Sequence, residues 1–175
     1  MGSGPIGCLH VRVARALGAA KVFLADINGG RVKLAADVVN PDATIDMSTQ
    51  DIAAELKKLT DGRGPNIIIT AAPSGKAQED AISLVSAGGK VSFFGGLPKE
   101  NPFIKCDSNI VHYKEVTLYG ANGSSPAQNQ QALNMIASGE VKVSDLITHR
   151  VKLENVQSAI DAVLSGQAIK VVINP

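Results

Sequence analysis

No apolar run in this chain approaches the length of a membrane span. The longest, such as Val22–Ala25 and Ile67–Ile69, fall far short of the ~20 residues a bilayer demands, so no membrane segment is expected. Cysteine is scarce. Cys8 and Cys106 cannot build a disulfide framework and make no C-x-x-C pair. Charge of one sign is lacking too: 17 Lys and Arg stand against 16 Asp and Glu, a formal net charge of +1, which gives no electrostatic case for nucleic acid. His10, His112 and His149 lack the H-E-x-x-H spacing, so neither a metal site nor a catalytic residue is assigned within these residues. The N-terminus has no charged region followed by an apolar stretch. No secretory signal is therefore expected, and a reducing cytoplasm is the expected compartment.

What the 175 residues do contain is an alternation of periods, with no internal repeat. Ile6, Leu9, Val13 and Leu17 recur at helical spacing up to Gly18. Lys21–Asp26 is a buried-strand pattern, followed by a helix from about Arg31 to Val39 and a weak strand over Ala43–Met47. Ser48 and Asp51 resemble a capping box ahead of a helix carrying Ile52, Leu56 and Leu59, closed by Gly62. Strands are predicted at Asn66–Thr70, Lys90–Phe94 and Glu115–Tyr119, with a helix over Gln78–Ser86. This order predicts an α/β fold with a doubly wound parallel sheet. After Gly139 the rhythm changes to a loop through Leu146–Arg150, a helix near Glu154–Leu164 and a strand at Ile169–Ile173. Residues 1–140 are thus expected to form the main domain and 141–175 an appended tail.

Gly2, Gly4 and Gly7 have the G-x-G-x-x-G spacing. Such a loop sets bare backbone against a pyrophosphate at a helix N-terminus, where free N–H groups and the dipole attract anions. Pro5 suits the first turn because it has no N–H to satisfy. The spacing alone is also that of a plain glycine turn. Asp26 changes the balance: it ends the strand predicted at Lys21–Asp26, about 20 residues beyond the loop, where a carboxylate accepts from adenosine ribose hydroxyls. A carboxylate there would repel a 2′-phosphate, so the expected cofactor is NAD.

These segments, G-S-G-P-I-G, A-D-I-N-G-G-R, S-A-G-G-K-V-S-F-F-G and I-T-H-R, resemble the medium-chain zinc-dependent alcohol dehydrogenases, nearest the sorbitol (polyol) branch. The resemblance implies a Rossmann domain followed by a short return to that family's catalytic domain. It implies that Gly2, Gly4, Pro5, Ile6 and Gly7 line the dinucleotide, Asp26 holds the adenosine ribose and Arg31 covers the adenine. Phe94, Gly95, Gly96, Ala121 and Asn122 would border the nicotinamide half. The sorbitol branch often has an arginine and an aromatic residue before the alanine-asparagine pair, whereas this chain has Tyr119 and Gly120. The implied activity is hydride transfer between a secondary alcohol, a polyol or sugar, and NAD. The family's zinc ligands precede the glycine loop, in a domain these residues do not include, so zinc is expected only there. Homo-oligomers are common in the family, with Leu97–Ile104 as a candidate contact.

The family's first strand also precedes the glycine loop, and only Met1 stands in its place. The chain is therefore read as a fragment whose sheet is gapped or completed by a neighbouring chain. Elsewhere ordinary roles are expected. Cys8 is read as a small core residue, His10 as a solvated helix residue, His112 as a surface residue and His149–Arg150 as hinge packing, while Lys33 and Lys57–Lys58 lie on solvated faces. Thr70 and Ser74 fall near a strand end, but no general base is placed to activate either. Two further readings stay open: a catalytically silent dinucleotide-binding module, and a zinc-free relative of the quinone-reducing type.

Overall fold

The computed structural model describes residues 1–175. In chain order the elements are α1 (Pro5–Ala16), β1 (Phe23–Asp26), α2 (Gly29–Val39), β2 (Ala43–Asp46), α3 (Ile52–Leu59), β3 (Ile67–Thr70), α4 (Gly75–Leu84) and β4 (Lys90–Phe93). There follow α5 (Ser108–Tyr113), β5 (Thr117–Gly120), α6 (Pro126–Ala137), β6 (Ile147–Lys152), α7 (Val156–Leu164) and β7 (Lys170–Asn174). Every strand pairing is parallel: β1 with β2, β4 between β3 and β5, and β6 with β7. Each parallel pair requires a crossover, and helices supply it.

The chain divides into two units, Met1–Gly2 with Thr49–Gly123, and Ser3–Ser48 with Ser124–Pro175. The first contains β3, β4 and β5. Its core is Ile68, Ala81, Val85, Val91 and Val116. β3 lies at one edge of its sheet, and Met1 adds a single rung there: its amino group donates to the Ile69 carbonyl at 2.8 Å, and the Ala71 N–H donates to the Met1 carbonyl at 2.7 Å. That alternation is the parallel-ladder pattern. No sheet in the chain joins more than three strands.

The second unit contains β1–β2 and β6–β7. Cys8, Val11, Leu24, Ala35, Val39, Leu146 and Ile169 form its core. Arg12 reinforces it, its guanidinium donating to the Val38 carbonyl at 2.9 Å and to the Asp145 carboxylate.

Local chemistry fixes the helix ends. The side chains of Asn28, Asp51 and Ser74 accept from the N–H groups of Arg31, Ala54 and Ala77, satisfying first-turn donors. At α3 the cap is Asp51 alone. Ser48 instead donates to Asp46 at 2.6 Å, so the Ser48–Asp51 capping box expected from the sequence does not form. α4 begins at Gly75, earlier than Gln78, because Ser74 caps it. The expected loop over Leu146–Arg150 is largely the strand β6. Its polar residues alternate poorly in burial, and a register shift between Ile147 and His149 obscures the period. Thr148 bridges that shift, its Oγ1 accepting from the Ile169 N–H at 3.1 Å. The helices α5 and α6 were not expected. α6 buries none of its residues, yet Ser125 and Gln128 close a capping box ahead of it and Pro126 occupies its first turn.

Candidate functional site: a glycine loop and its carboxylate

In the second unit, β1 ends at Asp26 and α1 begins directly after Gly4. Gly4 caps α1 with no side-chain hydrogen bond, leaving first-turn N–H groups without the cap that Asn28, Asp51 and Ser74 supply to other helices. Pro5 follows as the first helical residue. Gly4 has a φ of −70°, and a Cβ built on it meets nothing within 4 Å. Neither backbone strain nor packing within the protein demands glycine here. Bare backbone at an uncapped helix N-terminus fits the close approach of a pyrophosphate, and the residues present therefore fit a dinucleotide.

Ser3 joins this loop to Asp26. Its N–H and its hydroxyl both donate to Asp26 Oδ2, at 2.6 and 2.9 Å, and the Asn28 N–H donates to Oδ1 at 3.0 Å. Ser3 is buried and Asp26 half-buried. Gly7 is buried in α1, whereas Ile6 is exposed on it.

A cleft of about 280 Å³ opens beside the loop. Ser3, Gly4, Pro5 and Arg31 line it, with Lys170 and Val171 of β7. Arg31 does not hang free: its guanidinium donates to the Val163 carbonyl at 2.9 Å near the end of α7, a favourable place for a cation. A Cβ on Gly166, at φ +76°, would lie 2.9 Å from Arg31 Nε, so glycine there makes room for the arginine. Lys170 was not singled out from the sequence. Its lysine in a β-strand pattern reads as an ordinary exposed residue, and only the fold brings it to the cleft.

In the first unit, Gly2 has φ +103°, and a Cβ there would come 2.8 Å from the Ala71 carbonyl oxygen. Glycine at this position answers to the protein itself. Phe94, Gly95 and Gly96 follow β4, and Ala121 and Asn122 follow β5. Phe93 and Gly120 are partners in register, so both segments leave the C-terminal ends of adjacent strands, the side on which ligands bind in open α/β sheets. Gly95 is fixed by its surroundings: its N–H donates to Thr70 at 2.7 Å, its carbonyl accepts from Gln78 at 3.0 Å, and a Cβ would strike the Ala72 backbone. Gly96, Ala121 and Asn122 are exposed.

The remaining chemically capable side chains have structural occupations. Cys8 is fully buried, and burial pushes its thiol up to about 11. His10 is half-buried with its Nε2 shielded from solvent, not the solvated residue expected, and burial lowers its pKa. Thr70 is buried and donates to the Ser92 carbonyl at 3.3 Å, while the Ser74 hydroxyl is a helix cap. His112 is exposed and packs edge-on against Tyr113. His149 is exposed on β6, its Nδ1 3.0 Å from Thr148 Oγ1. A larger cleft, of about 410 Å³, lies among Glu79, Asp80, Ser83, Lys105, Cys106 and Asp107. It contains none of the predicted site residues.

No group of three or more His, Cys, Asp or Glu side chains is placed to hold a metal ion, so these residues do not fit a zinc site. No helix is long and apolar enough to cross a membrane.

Residues 5–138 match the family model described as zinc-binding dehydrogenase. A sorbitol dehydrogenase from Halalkalibacterium halodurans is 29% identical over 175 residues, spanning 99% of this chain and 50% of that protein. An L-threonine 3-dehydrogenase from Rhizobium etli is 30% identical over 173 residues, spanning 99% of this chain and 49% of its own length. Among solved structures, a zinc-binding dehydrogenase from Sinorhizobium meliloti bound to NADP is similar with a TM-score of 0.87 at 25% identity, over 99% of this chain and 51% of that one. The chain spans about half the length of the curated relatives it matches. With its parallel α/β architecture and its glycine loop closed onto Asp26, the chain belongs to the medium-chain zinc-binding dehydrogenase family.

Proposed function

We propose that these residues form the dinucleotide-binding part of an NAD-dependent dehydrogenase that moves hydride between a secondary alcohol, in particular a polyol, and the cofactor. The observation that carries this reading is Gly4: bare, unstrained backbone with open space above it at the uncapped start of α1. The first-turn N–H groups hold the pyrophosphate, and Lys170 adds a cation at the same cleft. Asp26 accepts from the adenosine ribose, and Arg31 covers the adenine while braced by Val163. Phe94, Gly95, Gly96, Ala121 and Asn122 border the nicotinamide, which accepts or returns the hydride when bound.

No residue of this chain is assigned a proton-transfer role. Zinc and its ligands belong to the part of the relatives that these residues do not cover, and so do the contacts that would select the alcohol. Asp26 supports NAD over NADP because a fixed carboxylate repels a 2′-phosphate, although the S. meliloti relative holds NADP. Two free thiols suit a reducing cytoplasm. Homo-oligomerisation through Leu97–Ile104 completes the proposal. Its test is fluorescence titration of NADH and NADPH with the folded chain: saturable enhancement by NADH that an Asp26→Ala change weakens supports the reading, and no change at millimolar cofactor overturns it.

A further inference from the structure

We infer that Ser3 is the positioning residue that makes Asp26 selective for an unphosphorylated ribose. This rests on the dinucleotide reading given above and adds to it a residue whose hydroxyl is bonded to Asp26.

An ionised carboxylate offers about four lone-pair positions, two on each oxygen. Both positions on Asp26 Oδ2 are taken by the N–H and the hydroxyl of Ser3, at 2.6 and 2.9 Å. One position on Oδ1 is taken by the Asn28 N–H at 3.0 Å. A single position therefore remains, on Oδ1, and a ribose hydroxyl must use it. Ser3 is only 2% exposed, so its hydroxyl is not exchanged for water and the carboxylate is clamped from the buried side. Two donors on one oxygen stop the carboxyl group from rotating its remaining lone pair away from the ligand. A ribose hydrogen bond depends on that orientation. Repulsion of a 2′-phosphate depends chiefly on charge and distance, which the clamp leaves unchanged.

The two cofactors should therefore respond differently when the Ser3 hydroxyl is removed. Ser3→Ala keeps the backbone donor and deletes the side-chain one. NAD binding is expected to weaken by about three- to tenfold, within the range of one ordinary hydrogen bond because the backbone donor to Asp26 is kept, with NADP binding changed less than twofold. Ser3→Cys, which retains a weak donor at nearly the same volume, should fall between.

The experiment is calorimetric titration of NAD and NADP into the full chain as wild type, Ser3→Ala, Ser3→Cys, Asp26→Ala and the Ser3→Ala/Asp26→Ala pair, each checked for folding by circular dichroism. A selective loss of NAD affinity that vanishes in the Asp26→Ala background supports the inference, because the hydroxyl then acts through the carboxylate. An unchanged NAD affinity in Ser3→Ala overturns it. So does an equal loss for both cofactors that persists without Asp26, which marks a merely structural serine. Failure of the wild-type chain to bind either cofactor is a separate outcome: it overturns the dinucleotide reading and the inference with it. If Ser3→Ala does not fold, Ser3→Cys decides by the same comparison.

Discussion

Arg12 on α1 reaches Asp145, 133 residues away in the sequence, and grips both carboxylate oxygens with its two terminal nitrogens. The fork-to-fork geometry is the strong form of this pair. Arg12 is nearly buried, its side chain 12% exposed, and the same guanidinium also donates to the carbonyls of Val38 and Lys142. One side chain thus joins α1, α2 and the approach to β6 within the second unit.

Replacing Arg12 by alanine should cost about 2 kcal/mol, because two backbone carbonyls and a carboxylate lose their donor together. The hydrogen bonds from Arg12 hold the Asp145 carboxyl well below the usual carboxylate range, with Lys142 assisting. A lowered folded pKa stabilises the protein above the unfolded value near ~4 and loses that contribution as pH falls toward the folded value. The gap in Tm between wild type and Arg12→Ala should be full at neutral pH and shrink below about pH 4. A gap independent of pH would contradict the assignment.

The glycines of the loop should separate into two kinds. Gly2→Ala forces a Cβ onto the Ala71 carbonyl at a positive φ, and should destabilise the chain by about 1–3 kcal/mol. Gly4→Ala has room and an ordinary φ, so its Tm should stay close to wild type while its affinity for dinucleotide falls by tenfold or more, on the order of a lost close backbone contact. Thermal melts beside cofactor titration decide this. A Gly4→Ala protein that binds normally would remove the reason for a bare loop.

The two thiols should react unequally. Cys106 is exposed and Cys8 fully buried, with burial pushing its thiol up to about 11. A thiol held protonated and out of solvent at pH 8 is a poor nucleophile. A disulfide-exchange reagent should therefore titrate one thiol in the folded chain and two in denaturant. Rapid reaction of both in the folded state would show that the Cys8 core is open.

Much of this was legible in the sequence because β1, β3 and β4 are short and each carries buried apolar residues. Lys21–Asp26 and Asn66–Thr70 carry continuous apolar runs, Lys90–Phe94 one broken only by Ser92, and each contains an observed strand. The loop and Asp26 were legible because their spacing encodes a contact, and Ser3 bonds the two together. α6 was not: Leu133 and Ile136 are 60% and 41% exposed, so no buried stripe betrays the helix, and only its capping box does. Strand β6 was hidden by a polar run and a register shift. Lys170 was hidden because its role comes from β7 passing the loop, a relation that no local pattern records. The cap at Asp51, where Ser48 was expected, turned on a competing acceptor: Asp46 captures the Ser48 hydroxyl.

Asp26 should govern cofactor choice. Asp26→Ala removes the ribose acceptor and its negative charge together, so NAD affinity should fall by about tenfold or more while NADP affinity holds or rises. Matched titrations of the two cofactors read the ratio directly. An unchanged ratio would move recognition of the ribose elsewhere.

The most direct test of the account is calorimetric titration of NAD and NADP into the folded wild-type chain. The account predicts saturable binding of one equivalent of NAD, with NADP weaker. A folded chain that binds neither cofactor at millimolar concentration would contradict it.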